Sequence, residues 1–126
     1  MPRYDIERFD PPVPLALVTI RNPLTGSASV NVPMLLDSGA DVTLIPRAVI
    51  DHLAAEATPQ RQYELIGFDG TSSLSSAVHL ELIFCRRKFR GQLLAIEQPW
   101  GILGRNVLNS IAILLDGPHQ RWDEQP

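Results

Sequence analysis

Residues 35–43 read Leu35-Leu36-Asp37-Ser38-Gly39-Ala40-Asp41-Val42-Thr43. An apolar run ends in a carboxylate, and Ser38-Gly39 supplies a turn signal directly behind it. Upstream, Ser29-Val30-Asn31-Val32 alternates, and Met34-Leu35-Leu36 is apolar throughout, the pattern of a strand buried on both faces. Downstream, Val42-Thr43-Leu44-Ile45 resumes the strand. Asp37 therefore sits at a rigid strand end, on a turn opened by glycine where the backbone can approach a ligand. Asp-Ser-Gly is also an ordinary turn sequence, and taken alone it is equally compatible with a purely structural role.

Outward from this stretch, eleven prolines and eight glycines cut the chain into pieces that suit strands better than long helices. Residues 15–20 read as a strand ended by the turn-rich Arg21-Asn22-Pro23-Leu24-Thr25-Gly26. Pro46 is placed as the first residue of a short helix through about Leu53. Residues 63–66 and 77–84 are predicted strands around the Gly/Ser-rich segment 67–76, a long hairpin with a mobile tip. Arg86 to Arg90 form a basic turn into a strand at 92–96, and Cys85 is read as a strand residue rather than a nucleophile. Residues 99–104 read as a buried strand ending at glycine, followed by a short helix at 105–109 and a last strand at 111–115. Residues 1–14 form an extended arm, because Pro11-Pro12-Val13-Pro14 forbids a helix. Residues 15–116 are the folded domain, and 117–126 are a tail predicted to lack fixed structure. The fold class is mostly β with one or two short helices.

Composition narrows the function classes. A chain of 126 residues that is 44% hydrophobic is one domain able to bury its own core without metal or disulfides. The net charge of −3 gives no global attraction to nucleic acid. The one basic cluster, Arg86-Arg87-Lys88-Phe89-Arg90, has no stacking platform beside it, so no nucleic-acid partner is predicted. No apolar run is long enough to span a bilayer, and acids stand where a signal peptide would be apolar; no membrane partner is predicted. Cys85 is the single cysteine, which points to a reducing, cytoplasmic setting. His52, His79 and His119 are scattered without ligand spacing, so neither a metal nor a cofactor is predicted. Patterns for serine hydrolases and phosphate loops are absent.

A second segment, Gly101-Ile102-Leu103-Gly104-Arg105-Asn106-Val107-Leu108, follows the glycine-containing hairpin. With residues 35–41 before it, the chain resembles the retroviral-type (retropepsin-like) aspartic proteases from Leu15 to about Leu115. The resemblance implies a closed β-barrel-like retropepsin (acid protease) fold, homodimeric. It makes Asp37 the catalytic aspartate, with Ser38 and Gly39 completing the catalytic loop. Asp41 would meet the substrate backbone and pair with Arg105, a structural support. Leu35, Ala40, Trp100 and Ile102 would line side-chain pockets, and Gly67, Phe68, Asp69 and Gly70 would close over the bound peptide. Three departures stand out: Phe68-Asp69 occupies a flap that is mostly glycine and isoleucine in the family, an arginine often found before the first strand is missing, and the tail after Leu115 is longer than a domain ending in its interface strand needs.

Hydrolysis by this route needs two carboxylates sharing one proton, one to activate water and one to protonate the carbonyl oxygen. The chain holds a single Asp-Ser-Gly and is one lobe in size, so a twofold homodimer is the simplest way to complete the site. The predicted function is an aspartic endopeptidase with itself and a peptide or protein substrate as partners. The first alternative is a catalytically silent dimerisation or peptide-binding module on the same fold, and the second a processing domain that acts mainly on its own precursor.

Overall fold

A computed structural model of the chain describes residues 2–53, 57–66 and 72–126. Two long strands start the barrel, β2 (Val13–Arg21) and β3 (Ala28–Leu36), preceded by the short β1 (Tyr4–Asp5). After Asp37 come β4 (Leu44–Pro46) and α1 (Arg47–His52), with Pro46 as the N-cap residue just outside the helix. The hairpin strands are β5 (Ala57–Ile66) and β6 (Ser72–Phe84), followed by β7 (Arg87–Ile96). The chain ends in β8 (Gly101–Leu103), α2 (Arg105–Leu108), β9 (Ile113–Asp116) and β10 (Arg121–Glu124).

The main sheet runs β1-β2-β3-β8-β4-β7-β6-β5, and β2 also pairs with β6. That pairing closes β2, β3, β8, β4, β7 and β6 into a six-strand barrel, leaving β1 and β5 outside it. The switch from one partner to two happens along β2, where the register shifts between Val18 and Ile20. Such an irregularity bends a strand, as closure requires. Ala16, Val18 and Ile20 of β2 and Val78, Leu80, Leu82 and Phe84 of β6 alternate into the core. Glu81 lies out of phase with them yet is buried, because Arg21, Lys88 and Arg90 all reach its carboxylate.

Two local expectations are corrected. Cys85 is not a strand residue: Cys85 and Arg86 both adopt positive φ (52° and 61°) and form the two-residue turn between β6 and β7. Left-handed backbone at both central residues is what a tight hairpin with native twist demands. Residues 117–126 do not lack fixed structure either. β10 pairs with β9 along its whole length, and Trp122 is 4% exposed. Its indole Nε1 donates to the Leu15 carbonyl at 2.9 Å. One buried tryptophan supplies enough apolar area to fix an otherwise polar segment. The N-terminal residues lie along the far side of β10, where Trp122 N donates to Pro2 O and Tyr4 N to Gln120 O. The arm is thus tied down at both ends, since β1 also pairs with β2 at Pro14 and Val13.

Candidate active site

Asp37 leaves the barrel at the end of β3, beside β8. β8 runs parallel to β3 and antiparallel to β4, so it is inserted between two strands that are neighbours in sequence. The insertion is tight. A Cβ on Gly101 would meet the Met34 sulfur and the Leu44 carbonyl, and one on Gly104 would meet the Val42 carbonyl. Glycine at these positions lets three backbones pack edge to edge.

The loop itself is closed by backbone groups. Asp37 N donates to Leu103 O at 3.0 Å and Ala40 N to Asp37 O at 3.2 Å. Gly39 N donates to Asp37 Oδ1 at 2.9 Å, and a Cβ on Gly39 would stand 3.1 Å from that oxygen. The carboxyl group is thereby oriented by the loop that carries it. The half-buried Asp37 is flanked by exposed Ser38 and Gly39, and no ion pair among the described residues reaches it.

α2 locks the loop from behind. Arg105 N donates to Ala40 O, and its guanidinium donates to Ser38 O, both at 2.8 Å. The resemblance pairs Arg105 with Asp41; here Asp41 is exposed and the guanidinium is on the Ser38 carbonyl instead. Thr43, which the sequence reading passes over, is fully buried: its hydroxyl accepts from Gly104 N at 3.0 Å and donates to Asn106 Oδ1 at 2.7 Å. A single hydroxyl therefore joins β4, the end of β8 and α2.

Beside the loop, register places Leu35 of β3, Ile102 of β8 and Leu44 of β4 side by side. All three are half-buried, whereas Met34, Ile45 and Leu103 on the alternate positions are fully buried. The row is an apolar surface next to Asp37, and Leu44 is its member missed from sequence. Ala40 is half-buried at the loop. Trp100, two residues before Ile102, is half-buried and meets Phe9 edge to face, with ring centroids 4.8 Å apart. Gly67, Phe68, Asp69 and Gly70 lie outside the described residues.

No group of three or more metal-ligating side chains comes together among the described residues. Burial, with help from the Glu124 and Asp123 charges, pushes the Cys85 thiol up, away from the reactive thiolate. A cavity of about 620 Å³ lies between the N-terminal arm, Leu15–Leu17 and Trp122, and no residue of the Asp37 loop lines it.

The sequence matches the family described as retroviral aspartyl protease over residues 12–116. The chain belongs to that family. Among the solved structures with which it shares its fold are two viral proteases. One is EIAV protease complexed with the inhibitor HBY-793, at 23% identity and a TM-score of 0.59, covering 85% of this chain and 91% of the other. The second is the solution structure of simian foamy virus (mac) protease, at 18% identity and a TM-score of 0.53, covering 75% and 91%. No curated protein matches the chain.

Proposed function

We propose that the chain is an aspartic endopeptidase whose active site forms between two copies, each contributing Asp37. The setting of Asp37 carries this reading: a carboxyl oriented by Gly39 N–H, on an exposed loop braced by Arg105 and Gly104, beside an apolar row. The Gly39 bond by itself is also that of a structural Asx turn; what adds to it is a half-buried carboxyl with no ion pair among the described residues, at the end of the apolar row.

In the proposed reaction the two carboxyl groups share one proton because two like charges about 3 Å apart cannot both ionise. The ionised member takes a proton from water as the oxygen attacks the peptide carbonyl carbon. The protonated member gives its proton to the carbonyl oxygen, producing a tetrahedral diol. Collapse of the diol returns a proton to the departing nitrogen and breaks the C–N bond. Leu35, Leu44, Ile102 and Trp100 favour apolar side chains flanking the cut.

β9 supports the twofold contact. One edge is paired with β10, and among the described residues no backbone hydrogen bond joins the other. Leu114 and Leu115 are 49% and 54% exposed, an open apolar edge that invites another strand. Asp116, the one acid on β9, is engaged by His119 and Arg121, and the His119 hydrogen bond holds its carboxyl below the ordinary range. Two β9 edges can therefore meet without unpaired carboxylates facing each other.

Digestion of a peptide library by wild type and Asp37→Asn in parallel tests the activity. Cleavage by wild type and none by the variant is the expected result. No cleavage by either protein, with both dimeric, would favour the silent module.

A further inference from the structure

The N-terminal arm reaches Trp100, two residues before Ile102 of the apolar row beside the active-site loop. Between β1 and β2 the chain makes a compact loop, residues 6–12, whose ends are held together by the pairs Tyr4–Pro14 and Asp5–Val13. Asp5 organises its first half: Oδ1 accepts from Glu7 N at 3.0 Å and Arg8 N at 2.9 Å, and Oδ2 lies 3.0 Å from Arg8 Nε. Phe9 follows directly and packs against Trp100 with ring planes inclined at 72°.

This contact is not core packing. Neither ring belongs to the buried core or to the apolar residues packed against it, and both keep part of their surface in solvent. A half-exposed tryptophan on a short segment before a three-residue strand has several rotamers open to it. An edge-to-face neighbour on one side selects one of them and leaves the remaining ring surface facing outward.

We propose that Phe9 is a specificity-determining residue: it fixes the Trp100 ring and with it forms the outer wall of a pocket for an apolar substrate side chain. This rests on the reading of Trp100 as a wall of the substrate pocket. A preset wall spares the substrate the entropy of ordering it, and the benefit falls on side chains large enough to touch it. Removing the Phe9 ring lets Trp100 swing, widening the pocket and weakening its preference.

The test is a double-mutant cycle read in a peptide series that varies only the side chains flanking the cut, from alanine through leucine to phenylalanine. Phe9→Ala and Phe9→Leu are compared with Trp100→Ala and with the double variant. The expected result is a loss of about tenfold in kcat/KM for the preferred bulky side chain with Phe9→Ala, and little change for alanine. Phe9→Leu should fall between, and Phe9→Ala should add nothing when Trp100 is already alanine. An unchanged profile for Phe9→Ala beside a shifted one for Trp100→Ala overturns the role of Phe9 and leaves the pocket assignment standing. Unchanged profiles for both variants overturn the pocket assignment and the proposal with it. A uniform loss for every peptide overturns it too, since that is the mark of a structural role.

Discussion

Around Asp37 backbones pack against one another at places where only glycine fits, whereas the paired termini add to their backbone ladder one buried tryptophan set among polar residues. The first region spends its precision on a carboxyl group. The second spends apolar area on closing the barrel's end, through Trp122 under Leu15 and the N-terminal residues along β10. Steric necessity leaves a signature in sequence that a solitary large side chain does not. The contrast also separates chemistry from stability: the loop's central residue is half-exposed, while the terminal sheet's central residue is buried.

The sharpest break between the two regions is Asp37→Asn. Replacing the carboxyl by an amide of equal size removes the proposed acid/base group, so peptide cleavage should fall by at least about 100-fold. The thermal midpoint should hardly move, which calorimetry on the same sample can check. Trp122→Ala should do the reverse, costing about 3–5 kcal/mol in urea unfolding, the range for a buried aromatic. A change under about 0.5 kcal/mol, normal for a surface site, would mean that the terminal sheet contributes nothing. Gly104→Ala tests whether the loop region is as unyielding as its contacts imply. The added methyl meets the Val42 carbonyl, a backbone group that cannot step aside, and should cost about 1–3 kcal/mol. Thr43→Val keeps the shape but leaves Gly104 N–H and Asn106 without their partner, a loss of about 1–2 kcal/mol in the same assay.

The smallest effect concerns acid stability. Burial pushes the Glu81 carboxyl up, but the Arg21 hydrogen bond and the charges of Lys88, Arg90 and Arg21 outweigh it, so its pKa lies below the ordinary value. A carboxyl depressed in the folded state adds stability above its unfolded pKa and loses it as pH falls through the folded one. Wild-type thermal midpoints should therefore decline across the range below the ordinary glutamate value, and Glu81→Gln should flatten that decline. Asp5 and Asp116 are depressed as well, Asp5 chiefly by the Arg8 backbone hydrogen bond and Asp116 by the His119 side chain, so some slope remains. An unaltered slope in the glutamine variant would show that the cluster does not stabilise the barrel seam.

The strands around Asp37 and the turn that carries it were legible because alternation, Asp-Ser-Gly and the glycines before Arg105 each reflect a local physical need. Arg105 was found, but its partner was not, since a guanidinium can reach Ser38 O or Asp41 and the sequence carries no distances. Thr43 was invisible because a threonine in an apolar run reads simply as a β-branched strand residue. Its hydroxyl acquires a task only when Gly104 and Asn106 arrive from the far end of the chain. Cys85-Arg86 lacks the Asn-Gly or Asp-Gly pair that marks such hairpins, so Cys85 reads as strand and the turn as Arg86 to Arg90, whereas the strand resumes at Arg87. Trp122 sits between Arg121 and Asp123, where no periodicity betrays a buried strand. Phe9 gave no signal, because its partner Trp100 lies in another element altogether.

The claim that two copies share one active site is tested most directly by mixing wild type with Asp37→Asn at constant total concentration, after sedimentation shows that both dimerise equally. If each site needs Asp37 from both subunits, activity follows the square of the wild-type fraction, and an equal, fully exchanged mixture keeps about a quarter of it. Activity directly proportional to the wild-type fraction, about half in that same mixture, would mean that each subunit acts with its own aspartate and would contradict the shared site.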